Sequence, residues 1–256
     1  MIGAIAGDVI GSRFESFPVK TTQFDLFGGR CTFTDDTVLS VAVAHALLHG
    51  EDYAVALRRF GQRHPNRGYG SDFYVWMHNE AAGPYRSWGN GSAMRVSPVG
   101  FAFDTVEEVL REAERSAAVT HDHPEGVKGA QAVALAVFLA RTGAGKAAIR
   151  EQTAGRFGYD LGRTLESIRP HYAFDVSCPG SVPESIIAFL ESDGVEDAIR
   201  KAISLGGDSD TMGCIAGGIA QAFYGGVPDG LKAAVRDYLT PDLLAVVDAF
   251  GARYGC

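Results

Sequence analysis

The 256-residue chain has only four cysteines, Cys31, Cys178, Cys214 and Cys256. None form a C-x-x-C pair, which excludes a zinc ribbon or a dithiol redox motif. Cysteines so sparse and scattered fit a reducing cytoplasm, the expected location. Blocks of Lys or Arg are also missing, and the formal net charge is −8. General nucleic-acid binding and adhesion to anionic membranes are therefore not expected. No apolar run is long enough to span a bilayer. The apolar start MIGAIAGDVIGSRFE lacks a basic region and meets Asp8 early, unlike a secretory leader. Strand-like alternation is scarce, and no internal repeat or low-complexity segment stands out.

What is present is helical. Residues 2–15 read as a helix with Gly3, Gly7 and Gly11 on one face, a spacing that lets backbones approach closely. Residues 37–49 are apolar almost all round, the mark of a buried helix. Further helices are expected over 52–63, 105–119, 124–141, 145–155, 184–191, 195–204, 211–224, 229–238 and 241–254, with a short one near 72–80. Residues 18–34 look irregular. The stretch 64–100 is rich in Gly, Asn, Pro and aromatics, and so long a weakly periodic segment is usually functional. The expectation is one all-α domain over residues 1–256. Nothing in the sequence demands an oligomer, and a monomer is expected.

Two short oxygen-rich loops carry the chemistry. In FTDDT, Thr34, Asp35 and Asp36 precede the apolar helix at 37–49; in SLGGDSDTMG, Asp208, Asp210 and Thr211 precede the helix at 211–224. Asp and Thr are good N-caps, so either motif alone reads most simply as a helix start. One carboxylate suffices to cap, and each loop has one to spare. Carboxylate and hydroxyl oxygens suit hard cations such as Mg²⁺, Mn²⁺ or Ca²⁺, and the two loops together could hold two of them. Cys31 and Cys214 lie beside these loops but read as packing, since thiolates suit softer metals. His121 and His123 form an H-x-H pair without a third nitrogen or sulfur ligand nearby, a weak zinc signal. His45 and His49 read as structural. Asp8 reads as a second acid behind the loops or as a buried hydrogen-bonding group. Arg95 reads either as a phosphate contact or as a brace for the acids.

Four blocks, GDVIGSRFE (7–15), FTDDT (33–37), SWGNGSAMR (87–95) and SLGGDSDTMG (204–213), with THDHPEG (120–126) between the last two, resemble the ADP-ribosylglycohydrolase family in content and order. The resemblance covers most of the chain. It implies an all-α fold with a two-metal centre that hydrolyses the bond between ADP-ribose and an acceptor. It implies Thr34, Asp35, Asp36, Asp208, Asp210 and Thr211 as ligands of two divalent cations, Mg²⁺ or Mn²⁺. Glu15 matches a catalytic glutamate; Asp36 is a second candidate for proton transfer or charge stabilisation. Ser87, Trp88, Gly89, Asn90 and Gly91 match a loop for the distal ribose and adenosine. The Gly68-Tyr69-Gly70-Ser71 loop, Gly70 and Ser71 above all, would meet the pyrophosphate, and Trp88 or Tyr69 would stack on the base. His121 matches a histidine on the substrate wall. The implied partner is an ADP-ribosylated protein, at arginine or serine for example, or a small-molecule ADP-ribose conjugate. Two other readings stay open: a different two-metal hydrolase that cleaves a P–O bond, and a non-catalytic ADP-ribose-binding protein.

Overall fold

The computed structural model describes residues 1–256, and its regular elements are all helices. The first six are α1 (Ile2–Glu15), α2 (Asp35–His49), α3 (Tyr53–Arg63), α4 (Ser71–Met77), α5 (Gly91–Met94) and α6 (Ser97–Ala102). Next come α7 (Val106–Ala118), α8 (Pro124–Arg141), α9 (Lys146–Phe157), α10 (Leu165–Ile168) and α11 (Cys178–Leu190). The last four are α12 (Val195–Ile203), α13 (Ser209–Tyr224), α14 (Asp229–Arg236) and α15 (Pro241–Tyr254). The all-α expectation holds. The one extended pairing is an isolated antiparallel bridge between Gly89 and Ser177. No helix is long and apolar enough to cross a membrane.

Three short helices, α5, α6 and α10, were not anticipated, and α11 begins six residues earlier than the pattern suggests. The segment CPGSVPES reads as a breaker because of Pro179, Gly180 and Pro183. Its start is nonetheless well made: the Ser177 hydroxyl accepts from Gly180 N at 3.1 Å, and Pro179 sits in the first turn, where no N–H is needed. Pro183 lies inside the helix, where it removes one backbone bond.

The glycine face of α1 packs on α13. A Cβ at Gly213 would lie 2.7 Å from the Gly7 carbonyl oxygen, and one at Gly3 would lie 2.8 Å from Gln221 Cβ. A Cβ at Gly7 or Gly11 would overlap the backbone of Gly213 or of Ser209 and Asp210. The two backbones therefore touch without side chains between them. This seam fixes the site, because α1 carries Asp8 and Glu15 while α13 starts beside Asp208 and carries Asp210 and Thr211. Around it, α2, α8 and α11 contribute to a single buried apolar cluster that includes Val38, Leu39, Leu135, Ile186 and Phe189. Each such side chain contributes about 1.5–3 kcal/mol by leaving water.

Candidate active site

The starts of α2 and α13 and the end of α1 meet at the floor of a cavity of about 330 Å³. Thr34 caps α2, accepting from Asp36 N at 3.3 Å, so neither Asp35 nor Asp36 is needed as a cap. Asp208 occupies the N-cap position of α13, yet its side chain makes no capping bond. It accepts instead from Asn90 Nδ2 at 2.8 Å. Capping thus leaves Asp35, Asp36, Asp208 and Asp210 unexplained.

Asp8 has a different task. Its Oδ1 accepts from the Thr34 hydroxyl at 2.7 Å. Its Oδ2 accepts from Thr34 N and Thr37 N, both at 3.0 Å, and from the Thr37 hydroxyl. With those lone pairs committed, Asp8 ties α1 to the TDDT loop. Asp36 is less satisfied. Its Oδ2 accepts from the Thr211 hydroxyl at 3.3 Å, but its Oδ1 is buried with no partner. Carboxylate oxygens of Asp8, Asp36 and Asp210 lie within 4.8 Å of one another, as do those of Glu15, Asp208 and Asp210. Asp35 lines the cavity beside these two groups without joining either.

No Lys, Arg or His forms an ion pair with any of these six acids. Burial raises the pKa of Asp36 well above the usual carboxylate range, and the charges of Asp8, Asp35 and Asp208 add to this. Asp210 is raised in the same way, by burial and then by Asp208 and Asp36. Glu15, exposed at the cavity mouth, is raised by desolvation and by Asp208 and Asp8. A largely buried, all-oxygen, uncompensated set with an unpartnered carboxylate oxygen fits hard divalent cations.

The walls come from distant segments. Gly70 and Ser71, at the start of α4, line the cavity with Ser87, Gly89, Asn90, Gly91 and His121. The 87–91 loop is clamped: Asn90 N donates to Val176 O at 2.7 Å, Cys178 N to Trp88 O at 3.0 Å, and Cys178 Sγ to Gly89 O at 3.1 Å. Asn90 Nδ2 also reaches Ser181 Oγ at 3.2 Å. Gly126 is needed here, since a Cβ would lie 2.6 Å from Ser87 O. Trp88 is outside the lining, 55% exposed, with its ring 6.5 Å from that of His123. Tyr69 also stays out, stacked on Phe73 with its hydroxyl donating to His64 O at 2.9 Å. His123 caps α8 through Nδ1, which accepts from Glu125 N at 3.1 Å, and so separates from His121 in role. His45 pairs with Glu51 away from the cavity. Arg95 braces no acid: its Nη2 donates to Ser116 O at 2.9 Å and to Thr120 Oγ1 at 2.8 Å. Tyr85 and Val176 line the cavity although no motif marked them. Tyr85 lay in the long weakly periodic stretch, which was the available signal; Val176 gave none.

A family model, ADP-ribosylglycohydrolase, matches residues 1–255. The chain belongs to the ADP-ribosylglycohydrolase family. It is 27% identical to human ADP-ribosylhydrolase ARH3, over 96% of this chain and 90% of that protein. It is 25% identical to the ADP-ribosylarginine hydrolase Tri1 of Pseudomonas putida, over 88% of this chain and 69% of that protein. Among solved structures, an ADP-ribosylglycohydrolase-related protein complex superposes with a TM-score of 0.73 at 25% identity, covering 97% of this chain and 95% of the other.

Proposed function

We propose that this chain hydrolyses the glycosidic bond between ADP-ribose and an acceptor, with two divalent cations, Mg²⁺ or Mn²⁺, in the acidic pocket. The observation that carries the metal reading is the buried, unpartnered Asp36 Oδ1 among carboxylates that no basic side chain neutralises. Thr34, Asp35, Asp36, Asp208, Asp210 and Thr211 would hold the ions, with Asp8 fixing the loop behind them. When bound, the ions neutralise the acids and act as Lewis acids toward oxygen ligands.

The chain's own residues do the rest. Cleavage of a ribosyl bond develops positive charge at the anomeric carbon, which nearby carboxylates stabilise. Glu15 sits where the floor opens to solvent, and its raised pKa suits it to exchange a proton with water or the leaving group. Asp36 adds negative charge below. Asn90, held by Asp208 and Ser181, sets the height of the 87–91 loop, on which the distal ribose and adenosine would rest. The Gly70 and Ser71 backbone leaves room for a pyrophosphate without adding a basic residue: nothing lies within 4 Å of a Cβ built at Gly70. Relatives named for ADP-ribosyl hydrolysis support this reading. The acceptor is read as a protein side chain such as arginine or serine, or a small molecule.

The test is a panel of arginine-linked and serine-linked ADP-ribosyl peptides and O-acetyl-ADP-ribose, each run with Mg²⁺, Mn²⁺ or EDTA. Metal-dependent release of intact ADP-ribose is expected by mass spectrometry. AMP as product would replace this reading with a phosphohydrolase.

A further inference from the structure

His121 lines the cavity yet is only 5% exposed. Its Nδ1 lies 2.7 Å from the Thr120 hydroxyl. Its Nε2 makes no hydrogen bond within the protein and faces the glycines of the 87–91 loop, 3.1 Å from where a Cβ on Gly91 would sit. The Thr120 hydroxyl has a second partner, Arg95 Nη2, at 2.8 Å. Arg95 is fully buried, and a guanidinium can only donate. Thr120 Oγ1 must therefore accept from Arg95. The hydroxyl keeps its own proton, and giving it to His121 Nδ1 makes that nitrogen the acceptor. In that arrangement a neutral ring carries its proton on Nε2.

We propose that Arg95, acting through Thr120, locks His121 as a neutral imidazole whose Nε2–H points into the cavity as a hydrogen-bond donor. Its partner would be an oxygen of the bound ADP-ribose, so that half of the inference rests on the proposed function. His121 is then a contact for ligand oxygen rather than an acid or base, and Arg95 and Thr120 are positioning residues. The direction of the titration agrees. Burial holds His121 well below its ordinary pKa, and the nearby Arg95 charge disfavours an imidazolium further. The Tyr85 ring packs 5.9 Å from the imidazole, and its phenol also lies near Thr120. Arg95 itself belongs to the cavity lining, and its Nε and Nη1 have no protein partner.

The test is histidine-selective ¹⁵N labelling with long-range ¹H–¹⁵N correlation spectra, which tell Nε2–H from Nδ1–H and from the cation. In the metal-free wild-type protein, His121 is expected as the Nε2–H tautomer at neutral pH. This needs no variant and no substrate. Thr120→Val should release the tautomer into a mixture and weaken calorimetric ADP-ribose binding by about three- to tenfold, the loss of one well-oriented hydrogen bond. Thr120→Ser should restore both. Tyr85→Phe should leave the tautomer unchanged. An Nδ1–H or cationic His121 in the wild type, or a Thr120→Val spectrum identical to wild type, would overturn the relay. If the tautomer is as expected but ADP-ribose does not bind, the relay stands and the proposed substrate falls.

Discussion

Gly213→Ala probes the seam between α1 and α13 that brings the acids together. Two effects oppose each other. Alanine is a better helix former than glycine in a helix interior, by about 1 kcal/mol. Against this, the new Cβ would lie 2.7 Å from Gly7 O, 3.1 Å from Gly7 C and 3.3 Å from Gly7 Cα. All three are backbone atoms, so no side chain can swing away, and α1 must back off by several tenths of an ångström. Overpacking of this kind costs about 1–3 kcal/mol. The net is a destabilisation of about 0–2 kcal/mol, at about 2–4 °C of Tm per kcal/mol for a chain of this size. The catalytic effect should be larger than the stability effect, because Asp8 and Glu15 move with α1 while Asp208 and Asp210 stay with α13. Displacements approaching 1 Å at a reacting centre cost up to on the order of a hundredfold. Gly155→Ala in α9 is the control: it gains the same helix propensity, and its Cβ meets nothing within 4 Å. It should raise Tm with activity unchanged. Thermal melts and initial rates on both variants provide the check. A Gly213→Ala protein as active as wild type would refute the claim that this seam sets the geometry of the acids.

Other consequences can be measured directly. Asp210→Asn should lose turnover and the thermal shift on adding Mn²⁺, yet melt higher than wild type in EDTA, because it removes one unneutralised buried charge; a lower melting temperature in EDTA would contradict this. In metal-free wild type, Asp36 and Asp210 have raised pKa values in the folded state. The folded protein then holds more protons than the unfolded chain. Stability should therefore be greatest below the ordinary carboxylate range and be lost as pH rises through the raised values. Melts in EDTA should fall from pH 5.5 to pH 8 more steeply than melts in Mg²⁺ or Mn²⁺, where an ion at about a hundred times its Kd adds about 2.7 kcal/mol. Asn90→Ala, which strips Asp208 of its donor, should raise KM more than Trp88→Ala, whose ring lies outside the cavity lining; the reverse order would return the tryptophan to the site.

The acidic loops were legible because each has more carboxylate than a helix start needs, next to an unbroken apolar run. The glycine spacing in α1 was legible as packing, and its partner helix was not, since nothing local names Gly213 as the surface that Gly7 meets. Asp8 shows the same limit. A lone acid in an apolar helix signals a buried partner, but only the fold reveals four donors from Thr34 and Thr37, 26 and 29 residues away. The start of α11 was hidden by proline and glycine, whose usual meaning is a break; here Ser177 and Pro179 turn the same residues into an initiation signal. Trp88 and Tyr69 show the converse. Aromatic rings beside a glycine loop invite a stacking role, yet both lie outside the cavity lining, one on the surface and the other against Phe73.

The most direct test strips the protein with EDTA and restores Mn²⁺ stepwise, following bound metal and release of ADP-ribose from one competent substrate in the same samples. No release without metal, and release of intact ADP-ribose that rises with occupancy of the Asp36, Asp208 and Asp210 pocket, is the expected result. Full turnover by the stripped protein, or AMP in place of ADP-ribose, would contradict it.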